Sequence, residues 1–520
     1  MRYAHDIDAV RAAESELAAT VPPGTLMQRA AAGLAAVCAD LLRQRGGLDG
    51  RERGGVYGRQ RGGVLGRERG GVYGRHVVLL VGSGNNGGDA LYAGALLARR
   101  GAAVTALLLD PDHAHAGGRA ALVRAGGRAV PANDGDLQAI QSADLVVDGI
   151  VGIGGHGGLR PEAARLADVL EHSGAAVVAV DNPSGADASD GQLDGSSVRA
   201  DVTVTFGTHK PGLLIDPGAS RAGAVVLVDI GLGPYLAAAA IESLQAAEVR
   251  ALLPAPAATS DKYRRGVVGV VAGSGAYTGA AVLAVGGALR GGAGMVRAVG
   301  DPGVAAGIRA AWPEAVVTEI ETGADPTTAG RVQSWVIGPG HGTDDHARAD
   351  LEAVLAADVA VVADADALTL LADDHSMLQS RTAVTLLTPH AGELARLLGM
   401  ERSVVEAKRL DSVRRAADAL GVTVLLKGST TLVADPGAAA TAVRANAMGT
   451  PWLATAGSGD VLSGLAGALA AGGLDARDTG SVAAYLHGLA GRLASGGGPV
   501  IARDLIDHLP RAYAQTVADG

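Results

Sequence analysis

Polar and glycine residues cluster in a turn near residue 85. The segment GSGNNGGDA at 82–90 follows a strand-like run, HVVLLV, and opens an apolar helical pattern. Backbone amides and the helix dipole at such a turn bind anions. Gly82, Gly84 and Gly87 have the spacing of a dinucleotide-binding turn. Asp110 ends the next strand, where that fold places a ribose-binding acid, so the pattern taken alone indicates a dehydrogenase.

Three further side chains in the turn argue against a simple dinucleotide site. Asn85, Asn86 and Asp89 place two amides and a carboxylate within it. A carboxylate beside a pyrophosphate is electrostatically unfavourable. The turn therefore favours a ligand with hydroxyls and amides, or a cation.

Oxygen donors also end two of the following strands. Asp148 ends LVVD, and Asp181 and Ser184 follow AAVVAV. The carboxyl ends of parallel strands meet at one edge of a sheet, so these groups are expected to converge with Asn86. Oxygen ligands suit a hard cation rather than zinc. In the alternative interpretation, Asp148 and Asp181 only cap the turns that follow them.

A second anion-binding turn lies near the carboxyl end of the chain. TAGSGD at 455–460 precedes the apolar run VLSGLAGALAAGG. The amides of residues 457–459 can form an anion hole beside Asp460. Such amides hold a phosphoryl group while the acid takes a proton from an attacking hydroxyl. The structural alternative is a simple helix N-cap.

Alternating strands and helices must position both turns. Strands are expected at 76–81, 103–109, 144–148, 176–180, 202–206 and 224–228, and the rhythm restarts at GVVGVVAGSG after an Ala-rich stretch. We therefore predict an α/β protein of two doubly wound three-layer domains, residues 1–240 and 246–520. Residues 46–75 contain a Gly- and Arg-rich eight-residue repeat and are predicted to be a flexible insertion.

Composition limits the class of protein. The 520 residues carry a net charge of −10 and are 48% hydrophobic, which suits globular domains and gives no reason to expect a nucleic acid partner. Cys38 is the single cysteine, so no intramolecular disulfide or cysteine-based metal cluster can form.

Early charged residues and short apolar runs predict neither a signal peptide nor a membrane span. Lysine occurs only at 210, 262, 408 and 427, and a lysine retained where arginine is usual indicates either a need for an ammonium or chance, which is the interpretation favoured for Lys408 on a charged helix face.

The motifs of the first half occur in a known order. GSGNNGGDA, VVDGIVGIG, VAVDNPSG and TFGTHKPGLLIDPG resemble the YjeF N-terminal family of NAD(P)H-hydrate epimerases over residues 1–235, apart from the insertion. The resemblance implies a catalytic Asp181 and a potassium ion bound by Asn86, Asp148 and Ser184. It also implies that these residues contact the hydrated cofactor: Asn85, Asn86, Gly87, Gly88, Asp89, Gly152, Ile153, Gly154, Gly155, His156, Gly157, Gly158 and Asp181.

The second half carries its own ordered motifs. AGSGAYTGAAVLAVGGALRGGAGMV, VIGPGHG, VVADADAL, LTPHAGE and LLKGSTT precede GSGD and resemble the YjeF C-terminal, ribokinase-like family of nucleotide-dependent NAD(P)H-hydrate dehydratases over residues 246–515. The resemblance implies that Gly340, His390, Glu393 and a catalytic Asp460 face the hydrate. It implies that these residues bind ADP or ATP: Lys427, Gly428, Ser429, Thr430, Thr431, Thr455, Ala456, Gly457, Ser458 and Gly459. Thr450 and Trp452 depart from the family pattern.

The two resemblances together imply a bifunctional enzyme that repairs nicotinamide cofactors. One domain would interconvert the R and S forms of hydrated NADH and NADPH (NADHX and NADPHX). The other would dehydrate the S form at the expense of ADP or ATP, with Mg²⁺ as a further cofactor, giving AMP or ADP and phosphate. The alternative is a ribokinase-like small-molecule kinase fused to a Rossmann-like ligand-binding module, which would leave a stable phosphorylated product. We expect a cytoplasmic homo-oligomer without nucleic acid or membrane partners.

Overall fold

A computed structural model describes residues 1–45, 71–133, 137–321, 323–379, 381–437 and 441–520. It divides into two compact units, residues 3–239 and residues 240–520 together with residues 1–2. Up to residue 239 the elements are β1 (Arg2–Ala4), α1 (Ile7–Ala18), α2 (Thr25–Arg45), β2 (His76–Val81), α3 (Asn85–Arg99), β3 (Ala103–Leu108), α4 (Ala116–Arg124), β4 (Arg128–Pro131), α5 (Leu137–Gln141), β5 (Leu145–Gly149), α6 (Pro161–Glu171), β6 (Ala176–Val180), β7 (Val202–Phe206), α7 (Ala219–Ala222) and β8 (Ala224–Val228).

The first sheet is parallel and runs in the order β4-β3-β2-β5-β6-β7-β8. Side chains of β2 alternate between its faces, since Leu79 lies in the core formed with α1 to α4 and Leu80 lies in the core formed with α5 and α6. Helices therefore cover both faces, as in a doubly wound fold. The strand order reverses between β2 and β5, so the loops after these strands open a crevice.

Two parts of the first unit differ from the sequence prediction. The strand β4 was missed because it has four half-buried or exposed residues at the sheet edge and little apolar pattern. The predicted insertion at 46–75 extends too far, since Val72 is buried, Gly74 N donates to Gly101 O and Arg75 pairs with Asp144 at 2.9 Å. Residues 46–70 of the insertion lie outside the described residues.

Helix α2 is an apolar helix that the sequence analysis did not single out. Its residues 25–44 are long and apolar enough, by length and composition, to cross a membrane. Its residues Leu34, Cys38 and Leu42 are buried in the core of the first unit. A core helix of a globular domain meets the same criteria of length and apolar composition.

The second unit contains a larger sheet. Its elements are β9 (Ile241–Ser243), α8 (Ala246–Leu252), β10 (Val267–Val271), α9 (Thr278–Arg290), β11 (Met295–Gly300), α10 (Pro302–Ala311), β12 (Val316–Glu319), β13 (Ser334–Ile337), α11 (Asp345–Ala356), β14 (Ala360–Ala363), α12 (Asp366–Asp373), α13 (Ser376–Gln379), β15 (Thr385–Leu387), α14 (Ala391–Leu398), α15 (Arg402–Ala407), α16 (Arg409–Leu420), β16 (Thr423–Leu426), β17 (Thr431–Ala434), β18 (Val443–Asn446), α17 (Ser458–Ala471), α18 (Ala476–Ser495) and α19 (Ala502–Asp519).

The strands of this unit run in the order β9-β18-β17-β16-β15-β14-β13-β10-β11-β12. The seven from β16 to β12 are parallel, whereas β17 pairs antiparallel to both of its neighbours. Helices α9, α17, α18 and α19 supply one core, with Val268, Val336 and Leu425 of the sheet. The α/β fold class predicted from the sequence is thereby confirmed. The carboxyl ends of β14, β15 and β16 lie next to each other, which brings their following loops together.

Candidate active sites

The first unit contains a cavity of about 880 Å³, here called the carboxylate cavity, at the carboxyl ends of β2, β5 and β6. It collects several predicted substrate-binding residues, namely Asn85, Asn86, Asp89, Gly152, Ile153, Gly154 and Asp181. Residues that the sequence analysis did not name also line it, among them Arg11, Glu14, Met27, Tyr92 and His115. Its wall is therefore partly acidic and partly apolar.

Asp181 is held at the cavity wall by a buried lysine. The Lys210 side chain is 1% exposed, and its ammonium donates to Asp181 Oδ1, to Thr205 Oγ1 at 3.0 Å and to Phe206 O at 3.0 Å. All three ammonium hydrogens are thus used. Asp181 has a φ of 65°, a conformation that costs energy for a residue with a side chain and often marks a functional site. The sequence signal for Lys210 was the scarcity of lysine.

Two more carboxyl groups lie near this ion pair. Asp89 is 9% exposed, and its Oδ1 has no hydrogen-bond partner among the described residues. Burial, with the nearby charges of Asp181 and Glu14, raises the pKa of Asp89 to about 8 against the opposing effect of Lys210. Burial and Asp181 likewise raise the pKa of Glu14. At neutral pH the cavity therefore holds a protonated acid, Asp89, close to an ion-paired carboxylate, Asp181.

Of the predicted cation ligands, Asp148 and Ser184 are in direct contact, and Asn86 lies at the wall of the carboxylate cavity. Ser184 donates to the buried Asp148 through its hydroxyl at 2.6 Å and its backbone N at 2.9 Å. Burial raises the pKa of Asp148 to about 6, although the hydrogen bonds from Ser184 lower it. With its amide oriented to satisfy both neighbours, Asn86 donates to Val180 O at 3.0 Å and accepts from Gly152 N at 3.3 Å.

Other predicted substrate-binding residues do not line the carboxylate cavity. Residues 155–158 line a separate cavity of about 310 Å³, here called the Asp110 cavity. Gly87 and Gly88 line neither. A Cβ at Gly87 would lie 2.4 Å from Gly82 O, and one at Gly88 would lie 3.0 Å from the His115 ring, so these glycines permit close packing of α3.

A cavity of about 800 Å³, here called the Asp460 cavity, lies in the second unit beside the first turn of α17. The sequence-predicted residues that line it are His390, Glu393, Lys427, Gly428, Ser429, Thr431, Thr455, Gly457, Ser458, Gly459 and Asp460. Gly457 has a φ of 84° and precedes α17, so the first backbone amides of the helix are free of partners within the helix. The helix start predicted to bind an anion therefore lies at the cavity wall, where Ser458 N donates to Thr455 O at 3.4 Å.

Asp460 lies in the first turn of α17 within a cluster of charged groups. Burial and the charge of Asp364 raise the pKa of Asp460 to about 7, while Lys427 lowers it. The Lys427 ammonium donates to Asp364 Oδ1 at 2.7 Å and lies 3.6 Å from Glu393 Oε2. Burial opposes the charge of Lys427, but these two carboxylates raise its pKa above the ordinary value. The site thus holds a base that titrates near neutral pH beside a cation.

Asp364 is one of the residues lining the Asp460 cavity that the sequence did not reveal. It follows β14 within the quoted segment VVADADAL, and it is 1% exposed. Its Oδ2 accepts from Ser463 Oγ at 2.6 Å, and its Oδ1 accepts from Lys427. The segment contains two acids, Asp364 and Asp366, and their spacing alone does not show which of them pairs with Lys427.

His390 and Glu393 cap the helix that begins at the cavity wall. His390 Nδ1 accepts from Gly392 N at 3.0 Å and Glu393 N at 3.2 Å, and the Glu393 carboxylate accepts from His390 N at 2.7 Å. This reciprocal arrangement is a capping box at the start of α14. His390 Nε2 lies 3.5 Å from Glu393 Oε1, so both ring nitrogens of His390 are directed at residues of this helix start.

Four residues named from the sequence do not line the Asp460 cavity. They are Gly340, Thr430, Ala456 and Trp452. A Cβ at Gly340 would lie 2.8 Å from Tyr277 Cβ, so that glycine serves backbone packing. Thr430 is 1% exposed, and the Trp452 indole N–H donates to Gly497 O at 3.2 Å. The departure from the family pattern at Trp452 therefore falls outside the cavity wall.

Two acid-bearing cavities at the strand ends of two α/β units define a two-site enzyme. Comparison with protein-family models matches residues 23–212 to the YjeF-related protein N-terminus and residues 268–511 to NAD(P)H-hydrate dehydratase. The order of the matched regions is that of the two sets of motifs. Residues 23–212 include most of the lining of the carboxylate cavity, and residues 268–511 include the lining of the Asp460 cavity.

Full-length relatives extend these matches to nearly the whole chain. The bifunctional NAD(P)H-hydrate repair enzyme Nnr of Mycobacterium tuberculosis is 45% identical over 476 residues, covering 91% of this chain and 90% of its own length. Nnr of Mycobacterium leprae is 44% identical over 488 residues, covering 94% and 93%. The crystal structure of ADP/ATP-dependent NAD(P)H-hydrate dehydratase from Bacillus subtilis with ATP and Mg²⁺ is 29% identical, with a TM-score of 0.48, covering 52% of this chain and 97% of that one. The chain belongs to the family of bifunctional NAD(P)H-hydrate repair enzymes, which confirms both resemblances seen in the sequence.

Proposed function

We propose that the carboxylate cavity interconverts the R and S forms of NADHX and NADPHX, and that the Asp460 cavity dehydrates the S form with ADP or ATP. The observation that carries this proposal is the placement of Asp460 beside both Lys427 and the amide-rich start of α17. That arrangement combines a base, a cation and an anion hole, which is what phosphoryl transfer to a hydroxyl requires. The test is recovery of NADPH and phosphate from a mixture of the R and S forms of NADPHX, with and without ADP or ATP.

The dehydratase residues act on the hydroxyl of the hydrate. Asp460 accepts the hydroxyl proton as the oxygen attacks the terminal phosphorus of the nucleotide, whose bond to the leaving phosphate oxygen breaks. The amides of residues 457–459 and the Lys427 ammonium stabilise the charge on the transferred group. Departure of inorganic phosphate and loss of a ring proton then restore the double bond. Phosphorylation is needed because hydroxide is a poor leaving group.

The nucleotide would lie along the loops that precede β17 and α17. Lys427, Gly428, Ser429 and residues 455–459 offer amides, hydroxyls and one ammonium to the phosphates. No group of three or more His, Cys, Asp and Glu residues suited to a metal occurs in the described ranges. Mg²⁺ would therefore enter with the nucleotide, bound chiefly by its phosphates. AMP plus phosphate as products, a cytoplasmic location and a homo-oligomeric state stay predictions.

The rate of dehydration is expected to rise with pH through about 7. Asp460 accepts a proton, so it must be ionised, and its raised pKa of about 7 leaves it mostly protonated at pH 6. The measurement is kcat/KM for recovery of NADPH from the S form. The pH is varied from about 5.5 to about 8.5, a range that brackets the pKa of Asp460. A flat profile across that range would contradict the role of Asp460 as the base.

The epimerase site offers one group to donate a proton and another to accept one. Inversion at the hydroxyl-bearing carbon, whether by loss of the hydroxyl or by ring opening, needs one group that gives a proton and one that accepts it. Burial raises the pKa of Asp89 to about 8, so it retains its proton at neutral pH, whereas Asp181 accepts a hydrogen bond from the Lys210 ammonium. We therefore assign proton donation to Asp89 and proton acceptance to Asp181.

The donor set around Asp148 fits a monovalent cation. Ser184 Oγ lies 2.6 Å from Asp148 Oδ1 and 3.1 Å from Val151 O, yet a hydroxyl has one proton and serves only one of these oxygens. The Asn86 oxygen keeps a second lone pair beside its hydrogen bond. One carboxylate with neutral oxygens suits potassium better than a divalent ion. When bound, the ion supplies a fixed positive charge that attracts anionic groups of the substrate.

Replacing Asp148 by alanine is expected to slow epimer exchange by about tenfold or more and to remove its dependence on potassium, because the only carboxylate of the donor set is lost. Epimer exchange is followed by NMR at increasing K⁺ concentration. Dehydration of the S form should be unchanged, since Asp460 lies in the other unit.

The control for this change is Asp168→Ala, which removes an exposed carboxylate from α6 of the same unit. It should leave epimer exchange and its response to K⁺ intact. Equal exchange rates for Asp148→Ala and the parent, with the same response to K⁺, would show that Asp148 only caps its turn.

A further inference from the structure

The Asp110 cavity has no part in the proton chemistry proposed above. It lies at the carboxyl ends of β2, β3 and β5 in the first unit and measures about 310 Å³. Ser83, Ile150, Val151 and Gly154 line both this cavity and the carboxylate cavity. The two cavities therefore share a wall, and each has a volume in the range of small-molecule sites.

The turn in this shared wall has the geometry of a dinucleotide-binding turn. It joins β2 to α3, and β2 pairs in parallel with β3. Gly84 has a φ of 88°. A Cβ at Gly82 would lie 2.0 Å from Ile150 O, and a Cβ at Gly87 would lie 2.4 Å from Gly82 O. Glycine is thus required at all three positions, and the bare backbone at the start of α3 can approach a diphosphate.

Asp89 does not prevent a diphosphate from binding at this turn, contrary to the argument from sequence. Its side chain lines the carboxylate cavity and is absent from the wall of the Asp110 cavity. Burial also keeps its carboxyl protonated at neutral pH, since its pKa is raised to about 8. The repulsion expected between an ionised Asp89 and a diphosphate is therefore small.

Asp110 follows β3 and lines the Asp110 cavity. Its Oδ1 accepts from His113 N at 3.3 Å and lies 2.9 Å from His113 Nδ1. These contacts orient the carboxylate and lower the pKa of Asp110, so it is ionised at neutral pH. Its Oδ2 can accept a hydrogen bond from a ribose hydroxyl, as the acid at this position does in a dinucleotide fold.

The surrounding charges disfavour an additional phosphate. Glu162, Asp187 and Asp194 also line the Asp110 cavity. Arg160 is the only arginine in its wall, and His156 is already paired with Asp187 at 2.8 Å. A ligand carrying a 2′-phosphate would therefore meet mainly like charges, which disfavours its binding.

We propose that the adenosine ribose of the substrate lies in the Asp110 cavity with its 2′-hydroxyl donating to Asp110, and that the epimerase consequently favours NADHX over NADPHX. The reacting ring lies in the carboxylate cavity, because Asp89 and Asp181 line that cavity and the buried Lys210 pairs with Asp181. The diphosphate crosses the glycine turn between the cavities. This inference rests on the proposed epimerase function and specifies which of the two substrates the epimerase prefers.

The test compares kcat/KM for epimer exchange of NADHX and NADPHX by NMR. The parent should favour NADHX by about tenfold or more. Asp110→Asn keeps the size of the side chain and removes its charge, so kcat/KM for NADPHX should rise by about fivefold or more and the preference should shrink. Asp112→Asn, which changes an exposed neighbour outside the cavity wall, should leave the preference unchanged.

A second measurement does not depend on turnover of a hydrate. AMP and adenosine 2′,5′-bisphosphate are used as inhibitors of epimer exchange, and AMP should inhibit the parent more strongly. Equal kcat/KM values for NADHX and NADPHX, or a preference unchanged by Asp110→Asn, would overturn the assignment of Asp110. Absence of exchange with either substrate would instead overturn the proposed epimerase function, so the two failures are distinguishable.

Discussion

Replacing Asp460 by asparagine is expected to abolish nucleotide-dependent recovery of NADPH while epimer exchange continues. Asparagine has nearly the same size and can still accept hydrogen bonds, but it cannot take the hydroxyl proton. Loss of a general base costs about 100-fold or more in rate. The measurement is single-turnover recovery of NADPH from the S form with saturating ADP or ATP, beside NMR of epimer exchange.

The matched control for this change is Asp475→Asn. Asp475 is also an acid at a helix start, where it accepts from Asp478 N at 2.8 Å, but it lies outside the Asp460 cavity. Its replacement should affect melting slightly and activity little. Near-normal turnover by Asp460→Asn would mean that Asp460 is only a helix-start residue and that another group takes the proton.

Replacing Lys210 by methionine is expected to destabilise the first unit strongly and to abolish epimer exchange. The change leaves the carboxylate of Asp181 buried without its cation, and breaking a buried ion pair in this way costs about 3–5 kcal/mol. The free energy of unfolding is measured by denaturant titration, and epimer exchange by NMR. Lys262→Met, at an exposed lysine, is the control and should change neither.

The double variant Asp181→Asn with Lys210→Met separates stability from catalysis. It removes both charges together, so most of the lost free energy of unfolding should return. Epimer exchange should stay absent, because no carboxylate remains to accept the proton. A double variant no more stable than Lys210→Met would contradict the coupling between these two groups.

Local sequence patterns predicted the parts of both sites that lie on continuous segments. The glycine turn at 82–87 and the start of α17 both depend on short-range backbone geometry, which glycine spacing reveals. The strand that contains Asp148 and the strand that precedes Asp181 are buried and mostly apolar, so their positions were clear. The short strand β4 was missed because its residues are half-buried or exposed and show little apolar pattern.

Contacts between distant segments could not be predicted in the same way. Glu14 lies on α1 and reaches the carboxylate cavity only through folding, and no motif marks it. Lys210 was visible as a rare lysine, but its pairing with Asp181 depends on β6 and β7 being neighbours. Residues 155–158 belong to the same loop as residues 152–154, which line the carboxylate cavity. The chain turns within this loop, so residues 155–158 line the Asp110 cavity instead.

The most direct test of the two-site account uses the whole chain with an equal mixture of the R and S forms of NADPHX, with and without ADP or ATP. Absorbance follows NADPH, and inorganic phosphate is measured in the same samples. The account predicts that both forms are recovered completely as NADPH, with equimolar phosphate, only when nucleotide is present. Recovery that stops once the S form is consumed would contradict the epimerase assignment. A stable phosphorylated product without NADPH would contradict the dehydratase assignment and favour a small-molecule kinase.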